Sequence, residues 1–303
     1  MMQKEFYSNG KLLLTGEYAV LDGALALAIP TSYGQSLKAA PTHSGHLNWV
    51  SYDESDREWF RAEFDIEELK IISTTDAKTA ETLVVLLQQA KLDNPLFLSD
   101  HEGFLVETHL SFPRSWGLGT SSTLINNLAQ WARVDAYELL WKAFGGSGYD
   151  IACAQHNSPL TYQLKKGEPH VEETSFNPFF KDSLFFVHLN QKQSSKEAIA
   201  AYKNRSIDKE SLVKRISTLT QKMIAAPNLS EFEILMEEHE TILSETLGIL
   251  PIKQKLYPDY AGAVKSLGAW GGDFVMATGD ESSIAYFHDK GYPTVIPYSK
   301  MIL

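Results

Sequence analysis

The segment that most constrains this chain is a glycine-bearing turn set between a strand pattern and a helix pattern. Residues 104–112, Phe-Leu-Val-Glu-Thr-His-Leu-Ser-Phe, alternate in hydrophobicity as a half-buried strand does. Pro113-Arg-Ser-Trp-Gly-Leu-Gly-Thr-Ser-Ser-Thr123 follows, and a helical pattern opens at Thr120–Ser122 and carries Leu124, Leu128, Trp131 and Ala132. The first turn of a helix presents unpaired N–H groups and a partial positive charge, so an anion such as phosphate is at home there. Gly117 and Gly119 would let the backbone approach that anion closely. Thr120, Ser121 and Ser122 could cap the helix, bind phosphate or ligate magnesium. The segment lacks the Gly-Lys-Ser/Thr ending of a Walker A loop and the third glycine of a dinucleotide fingerprint. A plain capped helix after a glycine turn accounts for it equally well.

Three other segments carry chemistry-bearing residues. Ser8-Asn-Gly-Lys-Leu-Leu-Leu-Thr-Gly-Glu-Tyr-Ala-Val-Leu21 puts Lys11 at the start of an apolar strand, either as a point charge for phosphate or as a solvated edge lysine. Gly145-Gly-Ser-Gly-Tyr-Asp-Ile-Ala-Cys-Ala154 places Asp150 after a flexible turn, where it could accept a proton from a hydroxyl or cap the next helix. Lys265-Ser-Leu-Gly-Ala-Trp-Gly-Gly-Asp-Phe274 is a late glycine turn before a strand, open to a tight connection or to a ligand.

Around these segments the pattern is mixed. Strands are expected at 12–14, 46–50, 59–64, 184–189 and 273–278, and an Ala/Leu-rich segment ends at Pro30. Helices are expected at 78–92, 135–144, 195–203, 208–225 and 229–247. Helices and strands interleave, so the fold class is α+β, and a composition change near 175–182 marks a domain boundary. The 303 residues suit one large or two medium domains. A formal charge of −11 argues against nucleic acid and anionic membranes as partners, so a phosphate ligand must be held locally. Cys153 is the one cysteine, which excludes an intrachain disulfide. No stretch approaches the roughly 20 apolar residues of a membrane helix, and the amino terminus does not read as a signal peptide. A cytoplasmic address is expected.

The order and spacing of these segments resemble the GHMP kinases, which include galactokinase, homoserine kinase, mevalonate kinase and phosphomevalonate kinase. The family's Pro-Gly-Lys strand, Pro-x-x-x-Gly-Leu-Gly-Ser-Ser loop and late Gly-Ala-Gly-Gly-Gly loop are matched by Asn9-Gly10-Lys11, Pro113 to Ser122 and Gly268 to Gly272. Lys11-Leu-Leu-Leu-Thr-Gly-Glu-Tyr-Ala-Val-Leu21, Gly146-Ser-Gly-Tyr-Asp-Ile-Ala152 and Asp273 are most similar to the phosphomevalonate and mevalonate kinase branch. Gln193-Ser-Ser-Lys-Glu197 resembles the Ser-Thr-Lys segment that opens the family's second domain.

The resemblance implies a two-domain GHMP kinase fold. Residues 1–178 would form an ATP-binding domain like ribosomal protein S5 domain 2, and residues 179–303 a ferredoxin-like domain. It implies ATP and Mg2+ as cofactors and a small metabolite, mevalonate or phosphomevalonate in isoprenoid biosynthesis, as acceptor. Lys11 and Asp150 match the catalytic pair. Gly117, Leu118, Gly119, Thr120, Ser121 and Ser122 match the nucleotide loop. Glu17, Tyr18, Gly148, Gly268, Ala269 and Gly271 are candidates for substrate contact, and Ser121 and Glu138 for magnesium. Asn9 stands where proline is usual, Thr120 for serine, Ser122 for alanine and Trp270 for glycine. The bulky Trp270 would narrow the site or change which acceptor fits. Oligomeric state stays open, a homodimer being one option. Two alternatives share the fold: a mevalonate diphosphate decarboxylase-like lyase and a non-catalytic ligand-binding protein. The lyase usually begins with Ile-Lys-Tyr-Trp-Gly-Lys, unlike this chain.

Overall fold

The computed structural model describes residues 3–99, 102–191, 195–270 and 272–303, without the side chains of 195 and 196. The chain divides into two compact units that interleave in sequence. The first comprises 1–10, 33–114 and 118–155; the second comprises 11–32, 115–117 and 156–303. Residues 156–178 therefore group with the carboxyl-terminal part, whereas the family resemblance drew a division by chain order after 178.

Two long strands, β1 (Lys4–Thr15) and β2 (Ala26–Pro41), pair with each other and contribute to both units. In the first unit β3 (His46–Tyr52), β4 (Glu58–Asp65), β5 (Ile71–Thr74) and β6 (Phe104–Leu110) extend β2 in the order β5-β4-β3-β6-β2. The β3–β6 pair is parallel and the other three pairs are antiparallel. Four helices accompany this sheet: α1 (Ala77–Asp93), α2 (Thr120–Ala132), α3 (Ala136–Ala143) and α4 (Tyr149–Gln155). Leu37, Trp49, Phe64 and Val106 from the strands close over Leu83, Leu87, Ile125, Leu128, Leu139 and Ile151 from the helices in one core.

The second unit pairs β2 with β7 (Leu160–Lys165) and β7 with β8 (Glu168–Glu173), both antiparallel. Its separate four-stranded sheet contains β9 (Leu184–His188), β10 (Val264–Ser266), β11 (Phe274–Thr278) and β12 (Val295–Pro297) in the order β10-β11-β9-β12, antiparallel throughout. Between β9 and β10 run α5 (Ser195–Lys203), α6 (Lys209–Ile224), α7 (Leu229–Leu247) and α8 (Ile252–Leu256). Next come α9 (Glu281–Asp289), before β12, and α10 (Tyr298–Met301). One strand, a helical crossover, two adjacent strands, a helix and a last strand beside the first is the ferredoxin-like arrangement. The expected α+β fold is thus present.

Where the sequence reading and the structure differ, the cause is local. β2 continues eleven residues past Pro30, which lies outside both its 26–28 register with β7 and its 35–41 register with β6. Strands β5 and β10 and helix α8 are too short for a periodic signal. Helix α4 hides among small residues, its first turn closed by Ile151 and Ala152 donating to the Gly148 carbonyl at 3.0 and 3.2 Å.

Helix α2 is pinned by buried amides. Asn127 accepts from Ser8 Oγ at 2.8 Å and donates to the Gln35 carbonyl at 2.9 Å; Asn126 donates to Ser8 Oγ at 2.8 Å and accepts from Gln155 at 3.1 Å. Removing one member strands buried polar partners. Asn127→Ala is therefore expected to lower the unfolding free energy by about 2–3 kcal/mol, measurable by urea titration; a change under about 0.5 kcal/mol would show that Ser8 and Gln35 find other partners.

Candidate active site

The turn entering α2 is built from two left-handed glycines. Gly117 has φ 66° and Gly119 φ 96°, with Leu118 between them fully buried as an anchor. Gly119 is the N-cap of α2 and brings no side chain to the first turn. Helices α1, α3, α6, α7 and α9 are each capped by an Asp or Asn side chain: Asp76, Asp135, Asp208, Asn228 and Asp280. The hydroxyls of Ser122 and Thr123 donate back to the Gly119 carbonyl at 2.9 and 3.0 Å. They do not cap the amides either, so the first turn of α2 is available to an outside anion. Thr120 is half-buried, Ser121 exposed and Ser122 buried.

Lys11, in β1, donates from Nζ to the carbonyl of Gly117 at 2.8 Å. Lys11, matched by the family resemblance to a catalytic lysine, thus sits against Gly117 and is not a solvated edge lysine. Asp273 is a second charged group at this point: a Cβ on Gly117 would overlap its carboxylate. Its backbone, at φ 37°, is held by Asp273 N–H to the Gln191 carbonyl at 2.9 Å and by Leu189 N–H to its own carbonyl at 2.8 Å. Trp116 lies edge-on to Phe274, ring centres 5.5 Å apart, and His188 Nε2 is 3.3 Å from the Ser115 carbonyl.

In the first unit, Asp150 lies in the first turn of α4, half-buried. Helix α4 packs along α2, with Asn126 donating to the Ala154 carbonyl at 3.4 Å, so the same unit carries Asp150 and the anion-ready turn on neighbouring helices. Burial holds the Tyr137 hydroxyl above its ordinary pKa, with smaller contributions from Cys153, Asp135 and, last, Asp150. Glu138 is exposed on α3, 3.8 Å from Lys142. Among the described residues, no three His, Cys, Asp or Glu side chains gather as a metal site.

The candidates near residue 17 are buried. Glu17 is 1% exposed, paired by Oε1 with Lys265 Nζ and lying 3.2 Å by Oε2 from His239 Nε2; Lys265 and His239 are fully buried. Tyr18, at φ 60° and 8% exposed, packs on Tyr202 at 5.3 Å between ring centres. Glu17 and Tyr18 thus lack the open surface of substrate-contacting side chains. Gly148 is buried with φ 93°, Gly268 has φ 63°, and Ala269 is half-buried. Trp270 is buried at φ 47°, its indole N–H without a partner among the described residues. Gly271, Gln193 and Ser194 lie outside the described residues.

Sequence reasoning missed Lys265, His239 and Glu240 as members of a buried charged cluster. A lysine within the apolar run Ala263-Val-Lys-Ser-Leu267 was the available signal, the same one that singled out Lys11. Glu240 accepts from Ser266 N–H at 2.9 Å and Ile252 N–H at 3.3 Å. Burial pushes Glu17 up to about 7 against the opposing pull of Lys265, and burial also raises Glu240. Burial, then the Lys265 charge, holds His239 well below its ordinary value. Gly16 N–H donates to His239 Nε2 at 3.3 Å, so a neutral imidazole carries its proton on Nδ1.

No protein-family model matches the sequence, and no curated protein matches it. Solved structures do match in fold. The Methanococcus jannaschii mevalonate kinase is 15% identical with a TM-score of 0.70, covering 97% of this chain and 97% of that one. The Streptococcus pneumoniae phosphomevalonate kinase, solved with phosphomevalonate and AMPPNP, is 15% identical with a TM-score of 0.70, covering 98% and 100%. The Staphylococcus aureus mevalonate diphosphate decarboxylase is 12% identical with a TM-score of 0.61, covering 95% and 91%. The chain has the fold of the GHMP kinases.

Two outcomes test this geometry. Gly117→Ala forces a left-handed alanine against the Asp273 carboxylate and should cost about 2–3 kcal/mol; adding Asp273→Ala should return all but about 1 kcal/mol, the conformational part. Thermal unfolding of the cycle measures both, and simple additivity would separate the two residues. The raised Glu17 binds its proton more tightly folded than unfolded, so its contribution to stability is present below 4.5 and lost as pH rises through about 7. The penalty of Glu17→Gln should therefore shrink across that window, by about 2–3 kcal/mol in chemical denaturation. The neighbouring His239, depressed by burial, has the opposite slope below 6.5 and is common to both proteins. A penalty independent of pH would show Glu17 to titrate normally.

Proposed function

We propose that this chain is a cytoplasmic, ATP- and Mg2+-dependent phosphotransferase of the GHMP kinase family whose acceptor is mevalonate or phosphomevalonate. The observation that carries the reading is the contact of Lys11 Nζ with the carbonyl of Gly117, which puts a cation at the glycine turn of a helix with no side-chain cap. The fold and the motif order support it. Among the described residues no helix is long and apolar enough to cross a membrane.

ATP would supply the phosphoryl group, and Mg2+ would neutralise charge on its phosphates. The residues at the turn suit both: the amides of Thr120, Ser121 and Ser122 for phosphate oxygens, and the exposed Ser121 hydroxyl for the cation. Glu138 is assigned as a second cation ligand from the family pattern. Asp150 orients the acceptor hydroxyl and takes its proton as that oxygen forms its bond to the transferred phosphorus and the bond to the ADP oxygen breaks. Lys11 stabilises the negative charge that develops. Such a reaction asks for positioning and charge more than for covalent help from the protein. Gly148, Gly268, Ala269 and Gly271 are assigned to the acceptor side, and the bulk of Trp270 to acceptor selection.

Purified protein with ATP and Mg2+ should release ADP on addition of mevalonate or phosphomevalonate. Asp150→Asn and Lys11→Met should each lower kcat by at least 10²-fold while nucleotide-analogue affinity stays within several-fold. No turnover with either acceptor refutes the assignment, and carbon dioxide release from mevalonate diphosphate would replace it with the lyase.

A further inference from the structure

The buried cluster behind the site closes a circuit that the proposed reaction does not use directly. Every link lies in the second unit. Lys11 is six residues before Glu17, separated by the end of β1 and the Gly16 turn. Glu17 pairs with Lys265 in β10, and Lys265 Nζ also donates to the Ser266 carbonyl at 2.9 Å. Glu240 holds the same strand through Ser266, by N–H at 2.9 Å and Oγ at 3.3 Å. Two residues beyond Lys265, Leu267 N–H donates to the Phe274 carbonyl at 3.2 Å and closes the loop whose last member is Asp273. Asp273 packs on Gly117, and Gly117 receives Lys11.

We propose that Glu17 and Lys265, with His239 against the second carboxylate oxygen, are positioning residues that set Lys11 and Asp273 around Gly117. Two fully buried charges are a poor way to gain stability, since their desolvation cancels most of the attraction and an apolar pair of the same size serves as well. What such a pair supplies is direction. One ammonium, one carboxylate and one imidazole admit a single register of the Gly16 turn against β10, where apolar contacts would tolerate sliding. The carboxylate bonds Lys265 through Oε1, faces His239 Nε2 at 3.2 Å through Oε2 without a hydrogen bond, and is closed to solvent, so it acts through Lys11 and not on substrate.

The kinetic part rests on the kinase reading, and the structural part does not. The informative protein is the double variant Glu17→Gln/Lys265→Met, which removes both charges. Each single variant should lower Tm, because a buried charge is left alone. The double variant should regain most of that Tm yet keep kcat at least 10-fold down, with nucleotide KM within about 3-fold. Amide hydrogen exchange in 115–119 and 267–274, followed without substrates, should be at least 10-fold faster than in the parent and unchanged in α1. A double variant with parental exchange in both segments, or one that regains kcat with Tm, overturns the proposal. If the parent turns over neither acceptor, the kinase reading fails and the exchange result alone decides the positioning role. If the double variant does not fold, Glu17→Asp, which keeps the charge and withdraws it by one methylene, should show the faster exchange, and parental exchange there overturns the proposal.

Discussion

A lysine cannot stay charged in an apolar interior unless a carboxylate goes in with it, and that constraint organises the second unit. Lys265 has no exposed surface, so β10 can form only where Glu17 meets it. Glu17 in turn stands at the end of the strand that carries Lys11. Two further buried groups bind the arrangement: His239 receives the Gly16 N–H, and Glu240 receives the amides of Ser266 and Ile252. One pair of opposite charges thereby ties the amino-terminal strand, α7 and the late glycine loop together within this unit.

The glycine turn shows what an acidic chain would need in order to hold an anion. With a net charge of −11 the overall field opposes phosphate, so attraction must come from fixed local groups. The proposed source is a helix that lacks a side-chain cap. Five helices begin at Asp or Asn side chains that satisfy their own first turns, while α2 begins at Gly119. Within the second unit Lys11 adds a full charge at the Gly117 carbonyl, and the carboxylate of Asp273 lies against the same glycine.

Much of the fold was legible because it rests on periodicity and punctuation. The helices at 120–132, 209–224 and 229–247 and the strands at 46–52, 104–110, 184–188 and 274–278 follow runs that chain-local physics can read. The elements that escaped are short, as β5, β10 and α8 are, or contradict a local rule, as β2 does at Pro30. The site divides along similar lines. Lys11 and the glycine turn were singled out from their neighbours in sequence, and the structure puts Lys11 Nζ 2.8 Å from the Gly117 carbonyl. Glu17 read as a substrate-facing residue because motif order says which residues recur together and nothing about which way a side chain points.

By itself the sequence determined the α+β class, the place of a glycine turn before a helix, and the order of the lysine, glycine and aspartate segments. These are properties of spacing along the chain, set by hydrogen-bonding and steric rules that act over a few residues. Only the tertiary structure decided that Lys11 touches Gly117, 106 positions away, that Glu17 turns inward to Lys265, 248 positions away, and that the chain's units interleave. Those facts depend on which distant groups can be desolvated together, a balance between burial and pairing that no local pattern encodes.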